Sequence, residues 1–158
     1  RSTQDSSSAA SDVYTRQIEE GTIYEDSNIS VTAFLNDHGD LSDSYGFLVK
    51  TKDKTILISG DTGPSKNLIK YGKDIDILVH EVYSQAGFEK KEPDWKIYHK
   101  AHHTSPSELA KIANQLKPKT LVLSHILFWG STEEEILKEI SEYYSGDVVL
   151  ARDLIEIN

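Results

Sequence analysis

A layered α/β fold, with helices laid on one side of a sheet, is the class this sequence predicts, and two observations carry it. Short runs of β-branched and leucine residues recur between turn residues: ISVTAFL (29–35), YGFLVKT (45–51), TILIS (55–59), IDILV (75–79) and TLVLS (120–124). Several of these are too apolar to have one face in water, so they read as strands of a buried sheet. From Ser65 onward the runs alternate with amphipathic segments of helical period, the order that builds strand–helix units.

The elements follow in order. Residues 1–12 are rich in Ser and Ala and read as a flexible tail or loop, leaving 13–158 as the folded part. GTIYEDSN, within Thr15 to Glu25 and just beyond, reads as a strand entering a turn. Ile29 to Leu35 is a strand by β-branched content. NDHGDLSDS, from Asn36 to Ser44, is a polar loop carrying His38. Lys52-Asp53 turns the strand Tyr45–Thr51 into Thr55–Ser59 as a hairpin. A short helix is expected over Ser65–Lys73, then a strand over Ile75–Val79 that ends in His80-Glu81. Ser84 to Lys100, with Trp95 and Tyr98, reads as a long polar connection. Ser105 to Leu116 is the clearest helix, with Ser105 at the cap, Pro106 in the first position and Glu108 three beyond the cap. Thr120–Ser124 is a strand delivering His125, and Thr132–Tyr144 is a helix with Ile136, Leu137 and Ile140 inward. Asp147–Ala151 and Leu154–Ile157 are expected as short closing strands.

Composition narrows the function classes. The 158 residues suffice for one domain with a substantial core. A net charge of −9 argues against broad non-specific nucleic-acid binding, while leaving room for a local basic patch. There is no cysteine, hence no disulfide and no thiolate metal site. No apolar stretch approaches the roughly 20 residues of a membrane helix. The expectation is a soluble molecule of the cytoplasm or periplasm, with no membrane partner and nothing to choose between the compartments.

Chemistry-bearing residues collect at the strand ends. KTILISGD delivers Asp61, the next strand His80-Glu81, and TLVLS delivers His125, while the loop before the Pro106 helix adds His102 and His103. In α/β sheets, function gathers where strands end and helices begin. Taken singly, Asp61 reads as a turn residue or cap, although Ser65 is the better cap, and each histidine as an ordinary surface or core residue. Taken together, a carboxylate with four of the six histidines is a set of oxygen and nitrogen ligands of the kind Zn²⁺ accepts. His99 and His103, four apart, would share a helical face, but the AHHTSP context favours a loop there.

SGDT after one buried strand, LVHEVY after the next, and HHTSPSELAKIANQLKPKTLVLSHI resemble the C-terminal half of metallo-β-lactamase-fold hydrolases. The branch most similar is that of tRNase Z with its arylsulfatase-like and phosphodiesterase-like relatives. VTAFLNDHGDLSDSYGFLVKTKDK fits the same pattern upstream, so the resemblance spans roughly Gly21 to His125. It implies an α/β fold forming one β-sheet-plus-helices half of a four-layer αββα sandwich. It also implies two divalent metal ions, zinc or manganese, with Asp61 as the acid between them and His125 as a further ligand. His103 matches the histidine that donates a proton to the leaving oxygen, and Glu81 the carboxylate that orients it. A metal-bound hydroxide would attack an ester-type bond: a phosphodiester, a sulfate ester, or a thioester or lactone.

One departure stands out. His-x-His-x-Asp-His, the principal metal motif of such hydrolases, is absent from the 158 residues. His38, by its short distance in sequence from Asp61, is set aside as the further histidine expected before SGDT. The chain also opens on Arg1 and holds no methionine. The expectation is a fragment whose partner is the missing N-terminal half carrying HxHxDH, or a second copy in a homodimer. On its own it would bind catalytic metal poorly and be inactive. The alternative is a non-catalytic, metal-free half-fold acting as an assembly module; behind it stands an ordinary α/β binding domain with coincidental histidines.

Overall fold

The computed structural model describes residues 18–157; the expected tail over 1–12 lies outside them. Seven strands form one sheet in sequence order: β1 (Gly21–Glu25), β2 (Ile29–Leu35), β3 (Tyr45–Thr51), β4 (Thr55–Ile58), β5 (Ile77–Tyr83), β6 (Thr120–Leu127) and β7 (Asp147–Leu150). The first four pair antiparallel and the last four, β4 to β7, parallel. The α/β expectation holds, with two revisions. Ser84–Lys100 is no irregular connection but two helices, α2 (Gln85–Glu89) and α3 (Pro93–His102), the latter launched by Pro93 at its first position. Leu154–Ile157 is not a strand, and Leu154 is fully exposed.

The parity of this meander decides where the chemistry goes. β2 and β4 both run antiparallel to β3, so they are parallel to each other and to β5 and β6. The C-terminal ends of all four strands therefore meet at one edge of the sheet.

One face of the sheet is covered. α1 (Lys66–Tyr71), α4 (Pro106–Leu116) and α5 (Glu133–Ser141) lie in the connections between the parallel strands and pack with Leu48, Leu57, Leu78 and Leu121, which face one another across β3 to β6. Ser105–Glu108 and Thr132–Glu135 form complete capping boxes that satisfy the first amides of α4 and α5. Leu57, Leu78 and Leu121 are wholly buried, and each contributes about 1.5–3 kcal/mol by leaving water. On the opposite face, Ala33, Phe47, Ile58, Val79, Val122 and Val149 form one cross-strand row. That face is as apolar as the covered one, yet Phe47, Ile58 and Val79 are only half-buried. Among the described residues, no helix is long and apolar enough to cross a membrane.

Candidate functional site

Asp61 is the centre of the strand-end edge, and it is placed by a close backbone crossing. Gly60, at φ +68°, sits where a Cβ would come 2.4 Å from the Tyr45 carbonyl, so only glycine fits between β4 and β3 there. The Asn36–Ser44 loop is then tied onto the Asp61 loop. The Asn36 amide donates to the Ser59 carbonyl (2.7 Å), the Gly63 N–H to the Asp37 carbonyl (2.7 Å), and the Thr62 hydroxyl contacts Asp37 (3.0 Å).

This tie brings in a residue that sequence spacing set aside. His38 Nε2 lies 3.1 Å from Asp61 Oδ2. Distance along the chain was the wrong measure, because β2 and β4 flank β3 and end side by side. Two signals were present in the sequence: a histidine directly after a strand, and a hairpin returning the chain to the same edge.

His125 arrives by a different device. The β5–β6 register shifts at Glu81/Val82, so Ser124 and Ile126 pair while His125 bulges out with φ +44°. A bulge beside a site re-aims a side chain; here Nε2 reaches 3.3 Å from Asp61 Oδ2. His103 caps the C-terminus of α3, so the helix runs through His102 into AHHTSP and the expected loop is confined to His103–Ser105. Its Nδ1 stands 2.9 Å from Asp61 Oδ1 and 3.7 Å from Glu81 Oε2. Glu81 is fully buried on the same sheet face as Val79, and its other oxygen accepts the Thr104 N–H at 2.5 Å. His102 points elsewhere, with Nδ1 2.7 Å from the Tyr98 carbonyl and Nε2 3.4 Å from Asp40. His80 is enclosed on the helix-covered face, its Nδ1–H donating to the Glu81 carbonyl at 2.7 Å.

The electrostatics follow from this crowding. Burial alone would raise the Asp61 carboxyl, but contact with His103 and the charges of His103, His38 and His125 outweigh it and hold it below the usual value. Burial pushes His103 down, yet Asp61 and Glu81 together lift it to about 9. Glu81 is raised, chiefly by burial, against the lowering effects of His103 and Thr104. His99, behind His103, is lowered by burial and by the charges around it.

Several polar atoms here are buried without an aligned hydrogen bond: both ring nitrogens of His38, Asp61 Oδ1, His103 Nδ1 and Glu81 Oε2. Buried polar atoms are rarely left so. Facing one another, two imidazoles and a carboxylate are the donor set of a divalent cation. The donor atoms of His38, Asp61 and His103 all fall within 4.8 Å of one another, and His125 adds a fourth from the rim. The arrangement fits a metal. A cleft of about 350 Å³ opens over His38 and Asp61, lined by Leu41, Ser42 and Ser44.

Comparison with known proteins agrees. Residues 3–126 match the family described as "Beta-lactamase superfamily domain". Ribonuclease Z of Bacillus subtilis is 31% identical over 141 residues, covering 87% of this chain and 43% of that protein. Human tRNase Z, short form, shares 25% identity with a TM-score of 0.59, over 87% of this chain and 46% of the other. The metallo-beta-lactamase fold protein YhfI of Bacillus subtilis superposes with a TM-score of 0.64 at 19% identity, over 82% of this chain and 49% of that one. The chain thus spans under half the length of these relatives. With the family matched over most of its residues, the chain belongs to the beta-lactamase superfamily, in the metallo-β-lactamase fold and among the relatives of ribonuclease Z.

Proposed function

We propose that residues 13–158 form the second half of a metal-dependent phosphodiesterase, and that the whole molecule hydrolyses phosphodiester bonds in RNA. The observation that carries this reading is one carboxylate, Asp61, facing three histidines from three separate elements, with buried polar atoms that no protein group satisfies. The names of the curated relatives favour a phosphodiester over a sulfate ester, thioester or lactone.

Asp61 and His125 would hold the metal ions, as the resemblance implies, and the 3.1 Å approach of His38 to Asp61 supports counting it with them. Two divalent ions, zinc or manganese, would polarise the phosphoryl oxygens and lower the pKa of water for attack. The remaining work falls to the chain. Of the three imidazoles around Asp61, His103 alone also touches Glu81, which assigns it to proton transfer rather than to the metal: with Nδ1–H held between the two carboxylates, its other ring nitrogen would deliver a proton to the leaving oxygen. Glu81, anchored by the Thr104 amide, fixes the ring and its charge. The apolar row from Ala33 to Val149 would receive the sheet that carries HxHxDH, with a second copy of this chain as the lesser partner. A metal-free assembly module would use the same face, but it would not need the unsatisfied donors around Asp61.

The test is turnover of bis(p-nitrophenyl) phosphate and of a precursor tRNA by the molecule carrying both halves. Asp61→Ala should nearly abolish it, whereas His103→Ala should lower kcat and leave metal content intact. Undiminished turnover in Asp61→Ala would remove the reading.

A further inference from the structure

A row of rings leads out of the Asp61 cluster along α3. Trp95, His99 and His103 recur at every fourth position, so they share one face of the helix and its cap. Their ring centroids are 5.5 Å apart from Trp95 to His99, with the planes 24° from parallel, and 5.6 Å from His99 to His103. His125 continues the row 6.1 Å beyond His103. The β6–α5 loop buttresses it: Trp129, at φ +45°, lies 4.4 Å from His99 and 5.5 Å from Tyr83. Lys91 places its ammonium 4.6 Å from the Trp129 ring.

His103 is buried and His99 half-buried, whereas Trp95, at the outer end of the α3 row, is exposed. Trp95 is 55% exposed although one face is stacked on His99, and Tyr98 beside it is 45% exposed. Single exposed apolar side chains are ordinary. An exposed indole at the end of a stack that starts on the proton-donating histidine, with Lys91 on the Trp129 ring that buttresses the same stack, is a different arrangement. It suits a flat ring, and every base offers a π-face.

Resting on the phosphodiesterase reading, we propose that Trp95 is the stacking platform for a nucleobase of the substrate, at the outer end of the row of rings that leads to His103. Trp95 is thus a specificity residue, selecting phosphodiesters that carry a base over those that do not. The acidic chain then needs no broad basic surface to hold RNA, because part of the affinity comes from stacking.

Trp95 and Trp129 are the chain's two tryptophans, which gives a direct readout. In Trp129→Phe, Trp95 is the sole indole, and its fluorescence can be titrated with adenosine 5′-monophosphate and with ribose 5-phosphate. Stacking predicts quenching by the nucleotide and not by the sugar phosphate. By calorimetry, Trp95→Leu should weaken nucleotide binding about 5- to 150-fold and leave the sugar phosphate unaffected, with Trp95→Phe retaining most of the affinity. Equal affinity for the two ligands, undetectable nucleotide binding, or unchanged binding in Trp95→Leu would overturn the proposal. The readout needs no turnover. Base-dependent quenching in a chain that takes no zinc would sink the hydrolase reading and keep the platform; zinc binding without base-dependent quenching would do the reverse.

Discussion

Glu81 and His103 meet across 3.7 Å while the opposite oxygen of Glu81 accepts the N–H of Thr104, the residue after His103. One carboxylate thus grips both the backbone and the ring of the same turn. Glu81→Ala strips the buried Thr104 amide of its acceptor and should cost about 1–3 kcal/mol, read by urea denaturation. Glu81→Gln keeps an amide oxygen for that bond and should largely restore stability. Its loss of charge should still bring the His103 pKa down from about 9, as seen in the imidazole NMR signals. Equal stability of the two variants would show that the carboxylate does not anchor the turn.

How much of this was legible beforehand depended on the kind of signal. Strands β2 to β6 were written in apolar runs that any sheet would bury. Asp61, His103 and His125 were recognisable because each follows such a run or opens a capped helix. α3 was missed because PDWKIYHKAH has no apolar stripe; its rings pack against one another and against Trp129, so contacts remote in sequence hold the helix. His38 was missed because separation along the chain was weighed above strand parity. The bulge that turns out His125 had no local signature at all, since it lies in the pairing of β5 with β6.

That bulge leads to a second prediction. A histidine at φ +44° sits where glycine is favoured by about 1–2 kcal/mol. The His125 side chain is 52% exposed, so removing it forfeits little packing. His125→Gly should therefore raise the unfolding free energy by about 1 kcal/mol while losing a contact to Asp61. A destabilised His125→Gly would mean that the side chain holds the bulge.

Gly39 gives the opposite result. At φ +59°, with a Cβ that would fall 2.1 Å from the His102 ring, it admits no side chain. Gly39→Ala should destabilise by at least about 1–2 kcal/mol and shift the His38 loop, visible as altered His38 and His102 resonances. A variant as stable as wild type would contradict the packing of that loop on α3.

His80 predicts an acid-sensitive fold. Burial lowers its pKa to about 4, against 6.5 in the unfolded chain. Between those values the unfolded chain takes up a proton that the native state refuses. Its effect on stability is therefore nil above about pH 6.5 and grows as pH falls towards 4, reaching about 3 kcal/mol. His80→Leu should flatten that part of the stability–pH curve, whatever it does to stability at pH 8. An unchanged curve would place the acid sensitivity elsewhere.

The Asp61 cluster is the centre of the account, and zinc titration of the metal-free chain by calorimetry probes it most directly. The sequence alone, with His38 set aside, predicts poor binding; His38, 3.1 Å from Asp61, would supply a third ligand beside Asp61 and His125, the usual minimum for a protein zinc site. Saturable uptake is expected, and Asp61→Ala and His38→Ala should each weaken it at least about tenfold, since either would remove a direct donor to the ion. No uptake by the wild-type chain, or uptake that survives Asp61→Ala unchanged, would contradict the account.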